Sequence, residues 1–253
     1  MEATTYTKRV AVFLDILGFK DLIIANREAD IVRALTLTKD AESGPFHNAP
    51  QMRLTAFSDS VVVSDEIGNG FGYARVLHFA SYLAWQLLAM GILSRGGVGH
   101  GLLHHENGIV FGHALIQAYE LESKQAIYPR ILVPQDIAAA YIETEVAQRG
   151  EQVRATVSSL FRTDFDGNVH LHILGPFAHS PSLSVAPRNA TGPSTYTSRD
   201  IVAARSACLL EALNRNPPPA NHPSATAKHC WFRNYLQETS RAHGLMTNDG
   251  AGA

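Results

Sequence analysis

Two aspartates stand where carboxylates could do chemistry. Asp15 closes an apolar run in Phe13-Leu14-Asp15-Ile16-Leu17-Gly18-Phe19, and Asp59 lies in Phe57-Ser58-Asp59-Ser60, between two strand-like segments. A carboxylate beside buried apolar residues is costly unless paired, hydrogen-bonded or metal-bound. Singly, each reads as a turn or helix cap, a common use of Asp. Together, on neighbouring strand ends, they form a donor pair for a hard cation. Mg2+ and Mn2+ favour oxygen ligands and commonly take one or two carboxylates with substrate phosphates. The carbonyl of Ile16 would add another oxygen.

Other reactive side chains carry weaker patterns. His100, His104 and His105 precede Glu106, and His170 and His172 share a strand face, but neither group has a third ligand at zinc spacing. His113 reads as a residue at a helix start. Gly96-Gly97-Val98-Gly99-His100-Gly101 follows a strand pattern and does not open a helix, so it is not a dinucleotide loop. Close backbone packing at a dimer interface is the expected use of these glycines. Trp85 and Trp231 lie in helical patterns and read as packing residues. The 2 cysteines, Cys208 and Cys230, are expected as reduced thiols, not as a disulfide framework.

The elements that must position the aspartates follow from periodicity and turn signals. Residues 10–14 form a continuous apolar run, the pattern of a buried strand. A helix is expected over 20–41 and a loop over 44–50. Strands at 53–57 and 61–63 form a hairpin around Asp59, and Gly68-Asn69-Gly70 makes a turn. A long apolar helix over 73–90 ends at Gly91. A second hairpin pairs 93–103 with 109–111 about Asn107-Gly108. Helices at 114–125 and 135–146 flank a strand at 130–133. The split βαβ motif within this order predicts an α+β sandwich with a largely antiparallel sheet. Residues 9–146 read as one unit and 147–253 as a C-terminal extension. The extension has a hairpin (160–165 with 169–174), a Ser/Pro/Thr-rich loop over 180–198 and helices at 201–213 and 231–243. These helices flank Pro217-Pro218-Pro219, and a loose tail follows from 247.

Composition narrows the function classes. The chain has 253 residues, 45% hydrophobic and 17% charged, an ordinary globular profile. Lys and Arg total 21 against 23 Asp and Glu, for a net charge of −2. That balance offers no broad electrostatic basis for binding nucleic acid. The polar start and the absence of a long apolar run predict no signal peptide, no membrane span and a cytoplasmic location.

The order D-I-L-G-F, F-S-D-S on a hairpin, then R-G-G-V-G-H-G before a hairpin closing on G-I-V-F-G resembles the catalytic domain of class III nucleotidyl cyclases. The resemblance covers roughly residues 9–146 and implies a ferredoxin-like, cyclase-like sheet–helix sandwich. It also implies two Mg2+ or Mn2+ ions held by Asp15, Asp59 and the carbonyl of Ile16. The turn Leu17-Gly18-Phe19 would cradle a triphosphate through backbone N–H groups.

The departures point to a branch. Thr55 stands where purine-specific members carry Lys, and Ile109 where they carry Asp. Ile116 and Glu120 occupy the places of the Asn and Arg that steady the transition state. D-I-L-G-F, with Ala118-Tyr119-Glu120-Leu121-Glu122 and Pro129-Arg130-Ile131, is similar to the pyrimidine cyclases of bacterial antiphage (Pycsar) systems. That likeness implies conversion of UTP, with CTP as the close alternative, to a 3′,5′-cyclic nucleotide and pyrophosphate. The cyclic product would be a second messenger read by a separate effector. A head-to-tail homodimer is implied, with a cation from one protomer facing the other's triphosphate. Arg95 leads the candidates, ahead of Lys124 and Arg130, and Thr55 would read the pyrimidine edge. A silent nucleotide-binding module is the alternative from another class.

Overall fold

The computed structural model describes residues 6–43, 51–68, 70–175, 198–218 and 220–245, with side chains except at 38–43, 198, 199 and 201. The expected loop at 44–50, most of that at 180–198, the tail from 247, and Asn69 and Pro219 lie outside the described residues.

The apolar run near the N-terminus becomes β1 (Thr7–Ile16), paired on both sides and buried on both faces. The chain then forms α1 (Phe19–Ile24) and α2 (Glu28–Ser43), where the spacing had predicted a single helix. Asn26 causes the break. It takes the left-handed conformation (φ 52), while the Arg27 amide donates back to Leu22 O at 3.0 Å, the hydrogen-bonded stop that ends helices.

The first hairpin, β2 (Arg53–Phe57) and β3 (Ser60–Glu66), falls where expected, and α3 (Gly72–Ala89) follows. β4 (Ser94–Glu106) and β5 (Ile109–Gly112) turn at Asn107-Gly108, both at positive φ, as an Asn-Gly hairpin requires. α4 (His113–Lys124), β6 (Ile131–Leu132) and α5 (Gln135–Arg149) come next, then a short 3-10 turn and α6 (Arg154–Ser158), which periodicity did not reveal. The remaining elements are β7 (Phe161–Thr163), β8 (Val169–Leu171), α7 (Ser198–Arg215) and α8 (Pro223–Ala242). α8 starts eight residues before the expected helix, with Pro223 in its first turn, where the missing N–H has no intrahelical partner to lose.

The strands form one open sheet in the order β2-β3-β1-β4-β6-β8-β7, with β5 paired to β4. The first four strands have the order expected of the split βαβ motif, and among the described residues only the β4–β6 pair is parallel. The fold is therefore α+β, an open sheet with helices packed against it. Even-numbered β1 residues, Val10, Val12, Leu14 and Ile16, join Val61, Val63 and α3 in the main core. β7 and β8 continue the sheet through β6. Leu209 and Leu213 of α7 and Trp231, Phe232, Tyr235 and Leu236 of α8 belong to that same apolar cluster.

Odd-numbered β1 residues face α4. A Cβ on Gly97 would stand 2.3 Å from Ala118 O, and one on Gly99 would stand 2.2 Å from Ala114 O. The glycine stripe therefore lets helix α4 of the same chain lie directly on β4. This corrects the expectation that it packs against a second protomer.

Buried histidines make the fold acid-sensitive. Burial is the main cause that lowers the pKa of His78, His105 and His170 to about 4 and of His172 to about 3. An unfolded histidine titrates near 6.5. Between about pH 6.5 and 4 the unfolded chain binds protons that the folded chain does not. Stability therefore falls as the pH drops through that window, by about 1.4 kcal/mol per pH unit for each ring. Urea unfolding should show a lower midpoint at pH 5 than at pH 7. Equal midpoints would mean that the rings protonate without loss of the fold.

Candidate active site

Strand pairing brings the two aspartates together. Asp15 is in register with Ser60 on β3 and with Arg95 on β4. Asp59 occupies the β2–β3 turn, where its carbonyl accepts the Ile16 amide at 2.8 Å. Both carboxylates lie at one end of the sheet. Burial raises the pKa of Asp15; Arg95 opposes that rise, and the negative charge of Asp59 adds to it.

Arg95 is held within its own chain. Its Nε donates to Asp15 Oδ2 at 3.3 Å and lies 2.7 Å from Glu122 Oε1, and its Nη1 donates to Ala126 O at 3.3 Å. The Glu122 contact is an attraction between charges without hydrogen-bond alignment, since Glu122 Oε1 has no such partner. Glu122 is only 3% exposed, and burial raises its pKa. Sequence reasoning missed its role. The signal was its place on the buried stripe Ala114, Ala118, Glu122 of α4, a carboxylate on an apolar face.

Lys228 of α8 was also missed. It is half-buried, and its charge acts on both Asp15 and Glu122. No local pattern marked it, because the helix that carries it was expected to start after it.

The turn after β1 has one amide already engaged. Leu17 N–H donates to Leu93 O at 2.8 Å, so it is not free for a triphosphate. The amides of Gly18, at φ 75, and Phe19 have no such bond among the described residues. The Phe19 ring belongs to the core.

Thr55 lies on the same sheet face as Asp15. The register Phe13–Val62–Thr55 puts it two strands across and one side-chain repeat along, about 12 Å away. Its Oγ1 is 2.9 Å from His105 Nε2, and His105 Nδ1 is 2.8 Å from Ser64 Oγ. Arg9 Nε donates to Ser64 Oγ at 2.9 Å. The Ser64 hydroxyl is an acceptor for Arg9. His105, neutral at pH 7, donates from one ring nitrogen and accepts at the other, and so bridges Ser64 and Thr55.

The other expected cations have local partners. The Arg130 side chain is 1% exposed, bonded to Asp164 and Asp166 of the β7–β8 turn and stacked on Tyr128 and Trp231. Lys124 pairs with Glu120 at 2.7 Å on the outer face of α4. Ile109 and Ile116 are 59% and 58% exposed. His100 bonds Tyr73 and approaches Asp136. Cys208 and Cys230 are free thiols.

Asp15, Asp59 and the Ile16 carbonyl fit a hard divalent cation. They are oxygen donors, and the two coupled carboxylates would be relieved by positive charge. Among the described residues no group of three or more His, Cys, Asp and Glu side chains could hold a metal. The coordination shell would therefore need substrate and water oxygens, the usual arrangement for Mg2+. Among the described residues no helix is long and apolar enough to cross a membrane.

No protein-family profile and no curated protein matches the chain. Solved structures similar to it include a bacterial light-regulated adenylyl cyclase (16% identity, TM-score 0.40), where the match covers 54% of this chain and 45% of that one. The adenylyl cyclase CyaB from P. aeruginosa is similar at 16% identity and TM-score 0.43, over 66% of this chain and 93% of that one. A class III adenylyl cyclase-like ATP-binding protein from Pseudomonas aeruginosa is similar at 12% identity and TM-score 0.39, over 96% and 73%.

Proposed function

We propose that the protein is a metal-dependent nucleotidyl cyclase that converts UTP to 3′,5′-cyclic UMP and pyrophosphate, with CTP as the alternative substrate. The observation that carries this reading is the presence of Asp15 and Asp59 at one end of the sheet, beside the Gly18 turn. In the reaction the ribose 3′-oxygen bonds to the α-phosphorus, the α–β bridging bond breaks, pyrophosphate leaves and the hydroxyl proton passes to solvent. Bound Mg2+ or Mn2+ ions supply a lowered 3′-hydroxyl pKa and neutralise charge on the triphosphate. Asp15 and Asp59 hold those ions, with the Ile16 carbonyl beside them. Arg95 orients the Asp15 carboxylate and offsets its charge. Positioning and charge stabilisation carry nearly all of such a reaction.

Thr55 supports the choice of base. A Thr55 hydroxyl donating to the pyrimidine edge would favour the 4-oxo group of uracil over the 4-amino group of cytosine. Thr55→Ala is expected to slow UTP turnover about tenfold and to move the UTP-to-CTP ratio toward one. An unchanged ratio would remove Thr55 from base recognition.

Homodimerisation belongs to the same reading. Phe57, Ile116 and Tyr119 are more than half exposed around the part of this sheet face that α4 leaves open, which supports a second copy covering it. The messenger role in antiphage defence and a separate effector complete the proposal.

Incubation with Mn2+ and each of the four ribonucleoside triphosphates, with products resolved by mass spectrometry, tests the reading. A cyclic pyrimidine nucleotide is expected. No cyclic product from any triphosphate would favour a nucleotide-binding module, a reading that Ile116 and the Glu120–Lys124 pair also support.

A further inference from the structure

Beyond the Asp15–Arg95 pair lies a cavity of about 270 Å³. Leu17 and Gly18 form one wall, and Asn216, His222, Ala225 and Lys228, from the α7–α8 connection and α8, form another. Two segments far apart in the chain thus enclose one space at the candidate triphosphate turn.

Asp21 is the carboxylate on the cavity wall; Asp15 and Glu122 lie outside it, and Arg95 is committed to both of them. Arg27, also on the cavity wall, is committed to Asp30 at 2.6 Å and Asn216 at 2.8 Å. Lys228 is the cation at this wall that makes no hydrogen bond and no ion pair within 4 Å among the described residues. Partial burial weakens the solvation of its ammonium group, which Asp15 and Glu122 offset only from beyond 4 Å, and an anion in the cavity would supply a direct partner.

We propose that Lys228 binds the outer phosphates of the nucleoside triphosphate, so that helix α8 supplies the site with a cation from the same chain. The inference rests on the cyclase reading for its substrate class. It makes the C-terminal helices part of the substrate site, and it gives that site a phosphate-binding cation without a partner protomer.

The test is Lys228→Gln with Lys228→Arg beside it, using inorganic tripolyphosphate as the probe by calorimetry and UTP in turnover. Lys228→Gln is expected to weaken tripolyphosphate binding and raise KM at least about tenfold, with an unchanged melting temperature, while Lys228→Arg restores most of both. Cyclic product formed by Lys228→Gln at unaltered KM would overturn the inference and leave the cyclase reading standing. Lys228-dependent tripolyphosphate binding in a protein that makes no cyclic product would do the reverse.

Discussion

Asp59→Asn is expected to lower cyclic nucleotide formation by at least roughly a hundredfold while leaving the fold intact. The hairpin that carries Asp59 is held by backbone bonds. The Asp59 carbonyl accepts the Ile16 amide, and Ser60 pairs with Asp15 across β1–β3. Asn keeps the size of the side chain and the whole of that backbone geometry, so the loss isolates the carboxylate charge. A divalent ion would then have Asp15 as its one carboxylate, and Asp15 is already drawn toward Arg95. The measurement is product yield from UTP with Mn2+ beside the melting temperature of each protein. Undiminished yield would sink the two-aspartate reading. A collapsed melting temperature would show a structural role instead. Asp15→Asn is the less clean variant, because it also leaves Arg95 with Glu122 as its remaining carboxylate.

Truncation after Ala220 is expected to destroy cooperative folding. It removes Trp231, Phe232, Tyr235 and Leu236, all of them in the main core. Trp231 stacks on Tyr128 and Tyr235 at 5.9 and 5.3 Å, and its Nε1 donates to Asp164 at 2.9 Å. Trp231→Ala by itself is expected to cost about 3–5 kcal/mol, a large share of the ~5–15 kcal/mol that holds a typical domain. Urea unfolding measures the point variant, and soluble yield with circular dichroism measures the truncation. A truncated chain with an intact unfolding transition would mean that α8 is an accessory layer and not part of the core. That result would also weaken the case for Lys228, which α8 carries.

Much of this architecture was legible from local signals. The unbroken apolar run at residues 10–14 read as a buried strand, and β1 is an interior strand paired on both sides. Asn107-Gly108 announced its turn because both residues tolerate positive φ. Asp15 and Asp59 were legible because a carboxylate at the end of a buried strand needs a reason. The C-terminal helices were visible as helices, but their place was not. Amphipathic spacing tells which face is buried, not against what.

The remaining features depended on contacts between segments far apart in sequence. Glycines on β4 look alike whether a helix of the same chain or a second chain covers them; the seating of α4 over Gly97 and Gly99 decided it. Arg130 was a free cation on paper until the β7–β8 turn enclosed it with Asp164 and Asp166. Glu122 and Lys228 reach Asp15 only because α4 and α8 converge on one end of the sheet. The sequence by itself determined the strands, the turns and the two aspartates, because backbone conformation and side-chain period are set by near neighbours. The charges around those aspartates were decided by the tertiary structure, because electrostatic interaction follows distance in space and is indifferent to distance along the chain.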